Sequence, residues 1–389
     1  MIERAQAEEL RAALSGLEAE WLALTRRLVE TESPSGDEEG SRAVASLLME
    51  AARGVECVQK VELVESGNYG VHLRVGAFTE GTDARAESPI LIVGHTDTVH
   101  PRGSVQERPW REEDGRIFGP GIFDMKANCA LLIMVLRVLG QLKLRPRRPL
   151  IVLLTCDEET GSMTGRALIE EAAANARCAL VLEPPASGGR VKTGRKGTGM
   201  FQMRLTGRAA HAGLEPEKGA SAVLELARQV IRLHELNDVA RGTTVNVGVV
   251  RGGTSSNVVA AEAQAEIDVR FSTMAEAERI ERELRQLRPF DERVRVIMEG
   301  SINRPPLERN AVVLALYEEA RRVAALLDFE LGEASVGGAS DGNFIAAKGV
   351  AVLDGLGIEG DGAHAAHEHV MKSGVALRGA LLAGLIASL

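Results

Sequence analysis

Three short apolar runs constrain this chain more than any other feature. They are ILIV at 90–93, IVLLT at 151–155 and CALVL at 178–182. Stretches with helical spacing, 128–142 and 166–174, lie between them. A continuous run of β-branched residues and leucines has no face to offer water. Such strands belong in a mostly parallel sheet with helices on both faces. Each run also breaks into polar residues at its end: His95-Thr96-Asp97, Asp157-Glu158-Glu159 and Glu183-Pro184. In open parallel sheets, ligands bind in the crevice beyond the carboxyl ends of the strands.

The middle of the chain reads differently. Residues 200–209, 243–253 and 257–271 alternate apolar and polar, as half-exposed strands do. Helical spacing covers 220–236 and 275–287, and 293–299 alternates again. The order β-α-β-β-α-β predicts a ferredoxin-like α+β unit with an antiparallel sheet. After Pro305-Pro306 the helix–strand alternation resumes. The expected plan is a discontinuous α/β domain, 1–196 and 307–389, with 197–306 inserted. A length of 389 residues is too great for one ordinary core, which agrees with two domains.

Composition narrows the function. The net charge is -9 and aromatic residues make up 3%. Neither a basic face nor a base-stacking surface is expected, so nucleic acid is not the partner. No apolar run approaches about 18 residues, and no basic segment precedes an apolar one at the start. A cytoplasmic chain with no membrane association is expected. Cys57, Cys129, Cys156 and Cys178 are far apart and flanked by apolar residues, so they read as buried free thiols. Two classes survive: an enzyme, or a non-catalytic protein that holds peptides or amino acids in its cleft.

Further chemistry-bearing residues join the strand ends. Asp124 lies in GPGIFDMKAN at 119–128, and GDGAHAAHEHV at 360–370 holds His364, His367, Glu368 and His369. Each motif alone has an ordinary reading, as a surface pair or a solvated turn. Together, histidines and carboxylates at one sheet edge form a set suited to zinc. His72, His100 and His234 belong to no motif and are expected at the surface.

The set GHTDTV, GPGIFDMKAN, TCDEETGS, LEP and GAHAAHE resembles the di-zinc metallopeptidases. That family includes glutamate carboxypeptidases, aminoacylases, acetylornithine deacetylase and succinyl-diaminopimelate desuccinylase, and the likeness is strongest to the bacterial glutamate carboxypeptidase branch. The resemblance covers nearly the whole chain. It implies two Zn²⁺ per subunit, with Co²⁺ or Mn²⁺ as possible substitutes. Asp124 would bridge them, His95 and Glu183 would complete one site, and Glu159 and His364 the other. The family pattern His-x-x-x-Glu selects His364 over His367. Glu158 would be the general base, and Asp97 would orient His95. The inserted domain would be a dimerisation or lid domain whose His211 serves the neighbouring subunit, which implies a homodimer. Asn257, Arg270 and Arg304 would bind substrate carboxylates. Arg270 also reads as half of a strand-surface ion pair, and Arg304 as a structural residue at a hinge. The activity implied is hydrolysis of the amide bond to a C-terminal amino acid, glutamate above all, of a small peptide or acyl-amino acid. An aminoacylase or a biosynthetic deacylase is the alternative.

Overall fold

The computed structural model describes residues 2–80 and 87–389. The chain divides into two compact units: Met1–Thr193 with Arg309–Val336 and Ser340–Leu389, and Gly194–Glu308 with Gly337–Ala339.

The first unit is built on a six-stranded sheet. Its order is Val58–Glu65, Val71–Ala77, Leu150–Thr155, Ile90–His95, Cys178–Val181, Ala351–Leu353. The last four strands are mutually parallel, and the first two form an antiparallel edge. Ile90–His95 is buried at every position, as a strand covered on both faces must be. His95 pairs in register with Thr155, and Val93 with Val181. The three polar strand ends therefore emerge side by side at one level.

Packing makes this edge rigid. The helix Ala127–Gln141 is buried from Ala127 through Leu136 and again at Val138 and Leu139. Each buried leucine or isoleucine contributes on the order of 1.5–3 kcal/mol. Tertiary burial, not helix propensity, therefore fixes this element and the loop leading into it. The helix Val375–Ser388 packs beside it. A Cβ at Gly379 would sit 3.0 Å from Leu131 Cδ1 and 3.1 Å from Leu14 Cδ1, so any larger residue would press on both leucines. The N-terminal stretch 10–29, which the periodicity presents as one helix, is two: Arg4–Gly16 and Glu18–Glu30. Leu17 breaks the run with φ -96° and ψ 7°, immediately after Gly16.

A second, small sheet has the order Gly360–Asp361, His369–Met371, Arg116–Phe118, Arg111–Glu113. It pairs His369 with Phe118. This brings the loop after Phe118, which carries Asp124, beside the loop before His369, which carries His364. Strands of two or three residues leave no periodicity to read.

The other unit has the sheet order Thr244–Gly252, Glu262–Phe271, Gly197–Thr206, Arg295–Arg304, all antiparallel. Helices Ala222–His234 and Met274–Arg285 complete a ferredoxin-like fold. Ser221 and Thr273 cap them through their side chains. Its separate core includes Phe201, Met203, Leu226, Ile267 and Ile280. All four cysteines are buried and free. Burial pushes the Cys57 and Cys178 thiols up to about 11, and Cys129 and Cys156 to about 12. Among the described residues, no helix is long and apolar enough to cross a membrane.

Candidate metal centre

The parallel strands deliver His95, Glu158, Glu159 and Glu183, and the loop before the buried helix delivers Asp124. His95 Nε2 lies 3.0 Å from Asp124 Oδ1 and 3.6 Å from Glu183 Oε1. His364 Nε2 lies 3.5 Å from Asp124 Oδ2 and 3.2 Å from Glu159 Oε2. The two oxygens of Asp124 thus face two different imidazoles. Among the described residues, two sets of potential donor atoms each gather within 4.8 Å: His95, Glu158, Glu183, and His95, Asp124, Glu159. His364 holds a left-handed backbone, φ 63°. His367 is exposed, and its carbonyl accepts from His369 Nδ1 at 2.9 Å.

Asp97 organises the glutamate loop as much as the imidazole. His95 Nδ1 donates to the Asp97 carbonyl at 3.0 Å and lies 3.4 Å from its carboxylate. That carboxylate accepts the amides of Glu158 and Glu159, at 3.2 and 3.1 Å, and the Ser35 hydroxyl at 2.6 Å. One buried acid therefore aims two consecutive glutamates. Burial opposes its ionisation, but the His95, Ser35 and Glu159 contacts hold its pKa below the usual carboxylate range.

Five carboxylates (Asp97, Asp124, Glu158, Glu159, Glu183) surround two imidazoles in a largely buried pocket. Such an excess of buried negative charge calls for cations. Without them the imidazoles become imidazolium. Burial works against this at His95, but Asp124 and Asp97 raise its pKa well above the ordinary value. Asp124 and Glu159 push His364 up to about 10. The Oε1 atom of Glu159 is buried and has no hydrogen-bond partner among the described residues. An acceptor left open beside a nitrogen and oxygen donor set fits divalent metal.

Two histidines expected at the surface are buried. His72 Nδ1 accepts the Cys156 amide at 3.2 Å and its Nε2 bonds Thr164 Oγ1 at 3.1 Å. His100 bonds Glu368 at 2.6 Å. Both make their bonds to segments distant in sequence, which local pattern does not reveal. His234 is exposed.

In the second unit, His211 and Asn257 are neighbours. The Ala212 amide donates to the Asn257 carbonyl at 2.9 Å, and the Asn257 side chain bonds Ser255. His211 Nδ1 accepts the amides of Gly213 and Leu214, both at 3.1 Å, so Nε2 carries the proton. Arg270 is held by Asp268, with Nε and Nη2 bonds of 2.8 and 2.9 Å. Arg304 is buried at the end of its strand. The glycine-rich loop 337–344 is split: Gly338 and Ala339 accept from Arg195, while Asp341 accepts from Thr155 and Ser162 in the first unit.

Residues 91–388 match peptidase family M20/M25/M40. The chain belongs to the M20 peptidase family. It is 30% identical over 345 residues to carboxypeptidase G2 of Pseudomonas sp. (strain RS-16), covering 87% of this chain and 81% of that one. It is 30% identical to succinyl-diaminopimelate desuccinylase of Verminephrobacter eiseniae (strain EF01-2), over 75% and 76% of the two chains. Aminopeptidase PepT from Bacillus cereus ATCC 10987 shares the fold, with TM-score 0.76, 22% identity, and coverage of 95% and 98%. The M20 family is one of metal-dependent hydrolases whose centres are typically dinuclear. Its members act on peptides or acyl-amino acids.

Proposed function

We propose that this M20 protein is a zinc-dependent carboxypeptidase that releases a C-terminal amino acid, glutamate above all, from a peptide or acyl-amino acid. The observation that carries the reading is the pair of imidazoles facing opposite oxygens of Asp124. His95 and Glu183 would hold one metal, His364 and Glu159 the other, with Asp124 between. Bound metals supply a polarised carbonyl and a more acidic water. Glu158 takes the proton of the attacking water and returns it to the leaving amine. His211, whose Nε2 carries a proton, donates to the developing oxyanion in the partner subunit. Asn257, Arg270 and Arg304 bind the carboxylates of the released residue, and Arg270 must exchange its fork from Asp268 to do so. The reduced thiols accord with the cytoplasm. The carboxypeptidase G2 likeness favours release of a C-terminal residue, and the desuccinylase likeness favours a second reading, a biosynthetic deacylase.

A panel of N-acyl-amino acids and dipeptides, read by amino-acid release, tests this. Acyl-glutamates should turn over fastest. Arg304→Ala should lower kcat/KM for acyl-glutamates about 10–100-fold, the worth of a charge-assisted bond, and leave acyl-alanine within a few-fold. Equal losses on both substrates would make Arg304 structural. No release from any of them, with metal loaded, would return the protein to the non-catalytic class.

The homodimer reading rests on the inserted unit. Its edge strand Thr244–Gly252 exposes Val249 and Val250, and the helix Ala222–His234 exposes Leu224 and Ile231. A bare apolar edge invites a second copy. Light scattering should give a dimer mass that Val250→Asp halves. A monomeric parent protein would refute it.

A further inference from the structure

We infer that Glu368 is a positioning residue that sets the His364 side of the metal centre. This rests on the dinuclear reading above. Glu368 is only 3% exposed, and its carboxylate accepts four hydrogen bonds. Oε1 takes the amides of Phe123 and Asp124, at 2.9 and 3.0 Å. Oε2 takes the Gly121 amide at 2.8 Å and His100 Nε2 at 2.6 Å. Three amides of one irregular loop therefore converge on a single side chain from a segment about 245 residues away in sequence.

The loop needs this partner. Gly121 has φ 70°, and Asp124 and Met125 depart from helical geometry, so these amides have no helical ladder to enter. His100 is oriented for its part. Arg108 Nη2, which only donates, lies 3.3 Å from His100 Nδ1, which leaves the proton on Nε2, facing Glu368. On the other side, Glu368 stands four residues after His364. The turn between them is closed by Ala365 N to Gly362 O at 2.8 Å and Glu368 N to Ala365 O at 3.3 Å. Beyond it, His369–Met371 is stitched to Arg116–Phe118. The His364 side chain is 53% exposed, so its placement comes from this backbone. Glu368 thus couples the Asp124 backbone and the His364 loop into one piece. The His95 and Glu183 side is anchored independently, by the central sheet.

Glu368→Gln is the informative change. If its oxygen serves Phe123 and Asp124, its amide group meets the Gly121 and His100 donors head-on, and the reverse orientation is no better. Zinc-loaded parent and variant would each be equilibrated against a chelator series, with bound zinc counted. The parent should hold two zinc ions. The variant should hold one within a few-fold of the parent affinity and the other about 10–100-fold more weakly, as loss of such a supporting contact does at other metal sites. Glu368→Asp should recover part of the loss. His100→Ala, which keeps the three amide bonds, should weaken the same ion by several-fold and serves if Glu368→Gln does not fold. Two ions held at parent affinity in the variants, even with a lower Tm, would reduce Glu368 to a structural role and overturn the proposal. Equal weakening of both ions would overturn it too. A parent holding fewer than two ions would instead fail the dinuclear reading, and the proposal with it.

Discussion

Glu158→Gln is expected to lower kcat by about 10²–10⁴ while bound metal stays at the parent level. Glutamine keeps the size and shape of the side chain but cannot accept a proton. Glu158 is buried, and one of its oxygens lies within 4.8 Å of the donor atoms of His95 and Glu183, close enough to serve water held there. Its amide and that of Glu159 are fixed by the same Asp97 carboxylate, so the substitution leaves the backbone aim unchanged. Steady-state kinetics and metal analysis on one preparation decide the matter. Loss of metal alongside activity would make Glu158 a ligand, and retention of full activity would move the proton chemistry elsewhere.

Asp124→Ala is expected to remove both metals and take activity below detection. Among the described residues, it is the one side chain with an oxygen toward each imidazole. The same geometry fixes the pH response. In the metal-free protein His364 carries its proton up to about 10, because Asp124 and Glu159 bond it. Metal must displace that proton. Bound zinc at a fixed chelator ratio should therefore fall as pH drops below that value, and loading should release protons. Calorimetry in buffers of different ionisation heat measures the release. The metal-free fold responds in the opposite direction. A raised imidazole pKa stabilises the fold fully below the ordinary 6.5 and loses that contribution as pH rises through about 10. Asp124→Ala should shrink both effects. A variant that keeps two tight metals would refute the bridging role.

The sheet and the neighbourhood of the site were legible because both depend on strong local signals. Unbroken runs such as 90–93 and 151–155 have no amphipathic alternative, and they end where polar residues begin. The alternation in 200–206 and 262–271 likewise marks the ferredoxin-like unit. What escaped was non-local. Nothing in sequence sets Leu150–Thr155 between Val71–Ala77 and Ile90–His95. His72 and His100 look like loose surface residues until the segments that bury them arrive. Glu368 was visible as part of a pattern, yet its work is to receive backbone amides, which have no residue type. Arg270 differs: Asp268, two residues before it on the same strand face, was in plain view as its partner.

The side chains around Asp124 range from position 95 to position 364 and meet only once the parallel strands and the small sheet are in place. Contacts of such long sequence separation close late in folding, after loop entropy has been overcome. An unfolded chain presents no comparable site, so a metal at this centre would favour the finished state. Each tenfold rise of free metal above its Kd then adds about 1.4 kcal/mol to the native state. Metal supply would then bear on the stability of the folded chain as well as on its turnover.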